Sequence, residues 1–295
     1  MSIASRHILQ QTEVIRALAQ SAIDMAVQSR SKAPAEPMQT PGPTFRNERV
    51  TPLPADLLRD YIRHVGGDPS WYRGQVPAHL FPQWCFPLST KTLKGIPYPI
   101  AKVMNGGCRL EMNGPLPAGE PLVATAQLTS IDDNGTRAVL TQKMTTGPAS
   151  NPEAVTGYFY PVVPLAKGGS GKAKPTVPAD AREVTRWRLK RDSGLDFAKL
   201  TGDFNPIHWV NGYARAFGFR GVIIHGFSTM ARAIEGLNRN LFLGDTSRLT
   251  VFDCKFTRPL HVPADVGLYI DGKGGVWVGD APGGPAYLVG TYEYR

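Results

Sequence analysis

The stretch Phe197-Ala198-Lys199-Leu200-Thr201-Gly202-Asp203-Phe204-Asn205-Pro206-Ile207-His208, followed by Ala214, governs how the rest of the chain is read. Leu195, Phe197 and Leu200 predict a helix that stops at Gly202-Asp203. Asp203 and His208 are five residues apart, which on one unbroken helix would turn their side chains about 140° away from each other. The sequence forbids that helix. Pro206 disfavours helical geometry at Asn205, Asn is a good N-cap, and Pro is well tolerated as a first helical residue. His208 is therefore expected in the first turn of a new helix running to about Gly218, with Asp203 on the turn before it. A carboxylate and an imidazole that converge in this way can hold one water, accepting and donating a proton near neutral pH.

Eighteen residues after His208 the apolar run Val222-Ile223-Ile224-His225 meets Gly226. Phe227, Met230, Ala231, Ile234, Leu237 and Leu241 follow at helical spacing, which predicts a helix with one apolar face and Gly226 at its start. Free amides at that end, with the helix dipole behind them, suit negative charge, and a residue without Cβ lets a ligand approach the backbone. His225, after three β-branched residues, reads as a packed structural histidine.

Further out, two connectors divide the chain. Pro34, Pro37, Pro41 and Pro43 make an extended link after an N-terminal helix over 7–29, and Gly168, Gly169, Ser170 and Gly171 sit among lysines and prolines at 166–180. Gly171-Lys172 is no phosphate loop, because Ala166 and Ala173 stand where glycine and Ser or Thr are required. The implied organisation is 1–44 (helix and connector), 45–165, 166–180 (linker) and 181–295. The two large segments share an outline. Each has a short strand-like run, a helix ending at Gly-Asp (Gly67-Asp68 and Gly202-Asp203) and a strand region containing a Pro-Leu pair (Pro115-Leu116 within 109–128 and Pro259-Leu260 within 254–270). Each closes in alternating strands, and Asn134-Gly135 supplies a hairpin turn. An α+β architecture follows, two copies of a helix with an antiparallel sheet.

Composition narrows the class. The chain has 295 residues, 42% hydrophobic and 19% charged, enough to bury a sizeable core. No stretch reaches the roughly 18 apolar residues of a membrane span, and Gln10, Gln11 and Thr12 interrupt any signal-peptide core, so a cytoplasmic or organelle-matrix location is expected. Cys85, Cys108 and Cys254 are far apart and lack metal-ligand spacing, so they read as reduced thiols. A net charge of +9 suits polyanions, but the basic residues form no aromatic-interleaved block, which argues against nucleic acid and leaves a phosphate-bearing small molecule.

The motif from Phe197 to Ala214 and the His225-Gly226 step resemble those of MaoC-like (R)-specific enoyl-CoA hydratases and dehydratases, in the two-repeat form called a double hot-dog. The resemblance is close over 181–295 and holds in outline over 45–165. It implies that Asp203 and His208 bind and activate water, that Asn205 supports the turn, and that the Gly226 amide polarises a thioester carbonyl. The reaction implied is hydration of a trans-2-enoyl-CoA to the (R)-3-hydroxyacyl-CoA, or its reverse, without metal or redox cofactor. A carrier-protein thioester or a branched or dicarboxylic acyl-CoA is the nearest alternative. An acyl-thioester binder without turnover is the other, opposed by the intact Asp/Asn/His set. Association into a homodimer is left open.

There are departures from the pattern. Pro263-Ala264-Asp265 replaces a usual Gly-Asp, and the first half has Gly67-Asp68-Pro69-Ser70-Trp71 with no matching histidine. That half is expected to shape an acyl pocket instead, with Leu80, Trp84 and Ile96 in its wall and a shortened or irregular segment over Pro77–Pro99 in place of a regular helix. Arg215, Arg220, Lys255 and Arg258 are solvated charges or grips for CoA phosphates. His7, His64, His79 and His261 read as packing or surface residues.

Overall fold

A computed structural model of the chain describes residues 3–30, 38–166 and 173–295. Residues 33–37 of the proline-rich connector and 167–172 of the linker, including Gly171-Lys172, lie outside the described residues. After a 3-10 turn at Ser5–Gln10 come α1 (Thr12–Arg30), β1 (Phe45–Val50), α2 (Ala55–His64) and α3 (Pro82–Thr92). Four strands complete the first repeat: β2 (Met104–Met112), β3 (Leu122–Asp133), β4 (Arg137–Gly147) and β5 (Val155–Pro164). The second repeat contains β6 (Arg182–Leu189), α4 (Ser193–Thr201), α5 (Asn211–Ala216), α6 (Gly226–Asn240), β7 (Leu249–Phe256), β8 (Ala264–Ile270), β9 (Gly275–Gly279) and β10 (Ala286–Tyr294).

All ten strands form one antiparallel sheet in the order β1-β3-β4-β5-β2-β7-β10-β9-β8-β6. Reading inward from either edge gives the same succession of equivalent strands, so the repeats are related by a pseudo-two-fold axis through the β2–β7 seam. Cys108 stands opposite Cys254 there, both as buried free thiols. Alternation sets the faces: Leu122, Ala124, Ala126 and Leu128 of β3 are buried while Thr125, Gln127 and Thr129 are less so. In α6, Met230, Ala233, Ile234 and Leu237 follow i, i+3, i+4, i+7 spacing and are at most 3% exposed. This face enters a core continuous with Leu80, Phe81 and Trp84 of the first repeat. No helix among the described residues is long and apolar enough to cross a membrane.

One local expectation is narrowed and two are corrected. The prolines between 77 and 99 leave a shortened helix rather than an irregular segment, for α3 runs eleven residues against fifteen in α6, with Pro82 in its first turn and Pro87 inside. An interior Pro costs about 3 kcal/mol. Burial of Trp84, Cys85 and Leu88, at about 1.5–3 kcal/mol for a large side chain, outweighs it. His208 does not begin a helix to Gly218. It closes a 3-10 turn (Pro206–His208), and Trp209, at φ −148°, interrupts the path before α5. The Pro-Leu pairs lie in connections between strands rather than within them, because β2 ends at Met112 and β7 at Phe256.

Candidate active site

The site is built where α4 ends. Gly202 adopts the left-handed conformation (φ +82°) that terminates the helix, and its amide donates to the Ala198 carbonyl at 2.7 Å. The chain then makes two successive side-chain-to-backbone turns. Asp203 Oδ1 accepts from the Asn205 amide at 3.3 Å, and Asn205 Oδ1 accepts from the Ile207 amide at 3.3 Å. Asn205 thereby caps the 3-10 turn that delivers His208. The second wall is the extended run Val222–Ile224, held by a hydrogen bond that the Ile224 amide donates to the Leu260 carbonyl at 2.9 Å.

His208 is buried, and its Nδ1 lies 2.9 Å from the Ile223 carbonyl. A carbonyl can only accept, so Nδ1 carries the hydrogen and the neutral ring has a bare Nε2. Burial pushes the His208 pKa well below the ordinary imidazole value, and the neighbouring His225 pushes it the same way. His225 is also buried. Its Nε2–H donates to the Asp203 backbone carbonyl at 2.9 Å and lies 3.8 Å from Asp203 Oδ2, while its ring stacks on His208 with centroids 3.6 Å apart. Burial lowers the His225 pKa too, opposed by the Asp203 carboxylate. One ligand atom from each of Asp203, His208 and His225 falls within 4.8 Å of the others. Two hydrogen bonds of about 2.8 Å each span such a gap through one water.

Gly226 opens α6, beside this group. Its amide belongs to the first turn and has no acceptor among the described residues, so it points a free N–H at the positive end of the helix. A Cβ there would meet ring carbons of Phe256 at 2.7–2.9 Å. The position therefore demands glycine for close packing as well as for access.

A narrow pocket adjoins Asp203 and is lined from both repeats, by Tyr61, His79, Leu80, Phe86, Phe197 and Phe227 among others. Leu80 is thus brought to the site, whereas Trp84 and Ile96 are not. Trp84 Nε1 donates to Thr146 Oγ1 at 3.0 Å, its ring faces Val50 and Val76, and Ile96 packs with Leu128, Leu140 and Val163 in a separate cluster. Among the basic residues, Arg258 donates to the Lys174 and Pro175 carbonyls, which ties down the later part of the linker. Arg215, Arg220 and Lys255 are exposed. Sequence reasoning passed over His225 as a site member, and the available signal was its place directly before Gly226. Tyr61, His79 and Phe227 in the pocket carried no signal.

Fold and site together define a double hot-dog protein in which Asp203, His208 and His225 gather at the start of α6. Residues 172–278 match the MaoC like domain. The chain is 34% identical over 105 residues to 3-hydroxyacyl-thioester dehydratase X of Mycobacterium tuberculosis, covering 35% of this chain and 34% of that one. It is 23% identical over 183 residues to the peroxisomal enoyl-CoA hydratase 2 of Arabidopsis thaliana, covering 56% and 58%. The solved structure of HtdX from Mycobacterium tuberculosis superposes with a TM-score of 0.69 at 19% identity, over 86% of this chain and all of that one. The chain spans from about a quarter to about two thirds of the length of the curated relatives it matches.

Proposed function

We propose that the protein is a hydro-lyase that adds water to a trans-2-enoyl thioester, giving the 3-hydroxyacyl thioester, and catalyses the reverse dehydration. The observation that carries this is a buried, neutral His208 with a bare Nε2, one of three residues, with Asp203 and His225, that each bring one ligand atom within 4.8 Å of the others, and the unpaired Gly226 amide directly after His225. The thioester oxygen accepts from the Gly226 N–H, which draws electron density from C3. Water held between Asp203 and His208 attacks C3 as Nε2 takes its proton, and the C2–C3 π electrons move toward the carbonyl, so that an enolate forms against the helix start. The imidazolium then returns that proton to C2, on the face from which the oxygen came. Asp203 orients the water through its second hydrogen bond. His225 steadies the pair by holding the Asp203 backbone and stacking on His208.

The relatives named enoyl-CoA hydratase and 3-hydroxyacyl-thioester dehydratase support this class of substrate, and acyl-CoA is the thioester we assign. The (R) configuration of the product is proposed from the likeness of the motif. No step calls for a metal, and exhaustive chelation is expected to leave the rate unchanged. The test is loss of the conjugated enoyl-thioester absorbance with a panel of enoyl-CoAs, followed by chiral analysis of the product. Absence of turnover across the panel, or an (S) product, contradicts the assignment.

A further inference from the structure

The N-terminal segment reaches the pocket although nothing in its sequence marks it. Val14 is 2% exposed and lines the same pocket as Asp203. A Cβ on Gly202, the residue before Asp203, would stand 2.7 Å from Val14 Cβ and 3.1 Å from Gln11 Cβ, so α1 rests directly on the turn that carries the carboxylate. Buried partners from both repeats hold it there. Gln11 Nε2 donates to the Leu200 carbonyl at 2.9 Å, and Gln83 of α3 donates to Gln11 Oε1 at 2.9 Å. His7, fully buried, bonds the Asp60 carboxylate at 2.9 Å. Lys199 Nζ donates to the Ile3 carbonyl at 3.0 Å, and the Ile3 amide donates to Asp196 Oδ1 at 3.2 Å. A segment anchored at several points on both repeats is a fixed boundary of the pocket.

Resting on the enoyl-thioester reading, we propose that the N-terminal segment is a wall of the acyl pocket and that Val14 sets the length of acyl chain accepted. Val14 faces a space otherwise enclosed by Tyr61, His79, Leu80, Phe86 and Phe227, where its methyl groups occupy volume that a longer chain requires. One methylene in an apolar pocket is worth roughly a tenfold preference or more.

The experiment compares full-length wild type, Val14→Ala and Val14→Ile, each confirmed folded by a cooperative melt, on trans-2-hexenoyl-CoA and trans-2-dodecenoyl-CoA. The ratio of kcat/KM for the longer to the shorter substrate is expected to rise about tenfold in Val14→Ala and to fall in Val14→Ile. Equal losses on both substrates, or an unchanged ratio in both variants, overturn the proposal, since a segment that only stabilises the fold does not distinguish chain lengths. Should wild type hydrate neither, the hydratase reading fails by itself. The same ratio, read as affinities for saturated hexanoyl- and dodecanoyl-CoA, then decides the wall: a shift in the same directions supports it, and no shift or no binding overturns it.

Discussion

The turn after α2 and the turn after α4 are copies of one design that differ in where proline falls. In the first, Pro69 directly follows Asp68, so Asp68 itself becomes the cap of the 3-10 turn Pro69–Trp71. Its Oδ1 accepts from the Ser70 amide at 2.9 Å and the Ser70 hydroxyl at 2.8 Å, and these bonds hold its pKa below the ordinary carboxylate value. In the second, proline comes three residues after the aspartate. Asn205 takes the capping duty, and Asp203 is gathered with His208 and His225. The same contrast recurs at the helix starts, because α3 begins with Pro82, which has no amide hydrogen, and α6 begins with Gly226, which has one. The first repeat thus has a capping aspartate with no histidine at the position matching His208, and no N–H on the first residue of its helix.

The largest effect expected from breaking this contrast is at His208. His208→Ala removes the proton acceptor and should lower kcat by about 10²–10⁴-fold with the fold intact, as read by circular dichroism. Turnover within a fewfold of wild type would remove His208 from the chemistry. Next comes Gly226→Val, which forces branched carbons onto Phe256 and displaces the amide. Losing one such donor costs about 10²–10³ in kcat, and a full rate would mean the carbonyl binds elsewhere.

A smaller effect sharpens the role left to the first repeat. Leu80→Trp should change acyl-chain preference because Leu80 lines the pocket, while Trp84→Phe should leave preference alone and lower only stability, because Trp84 faces Thr146. Matched changes in preference for the two variants would contradict this partition.

The smallest is a pH effect. Burial lowers the pKa of His208 and His225, and that of His64 to about 3, so all three are neutral in the folded chain while the unfolded chain takes protons near pH 6.5. The unfolded state therefore binds more protons as pH falls below about 6.5. Stability should be full above that pH and decline toward pH 3. His64→Gln should lose less stability than wild type between pH 7.5 and 4.5 in denaturant titrations, and equal losses would contradict the assignment.

Much of this contrast was legible in sequence because it is local. Pro206 and Asn205 dictate their own turn, and alternation and helical spacing dictate the strands and α6. Where the outcome depended on tertiary burial, local rules were overridden: α3 forms despite Pro87 because its apolar side chains are buried, Trp84 bonds to Thr146, and Ile96 packs in a separate cluster. His225 joins the site through a stack and a backbone bond, neither of which has a spacing signature. Val14 lies 189 residues from Asp203 in sequence, and only the packing of α1 brings them together.

The central claim, one water site supplied by the second repeat alone, is tested most directly by measuring kcat/KM for enoyl-thioester hydration in Asp68→Asn and Asp203→Asn side by side. We expect Asp68→Asn to stay within about twofold of wild type, since it alters a turn cap, and Asp203→Asn to fall by about 10²–10⁴-fold. Comparable losses in the two variants would contradict the claim.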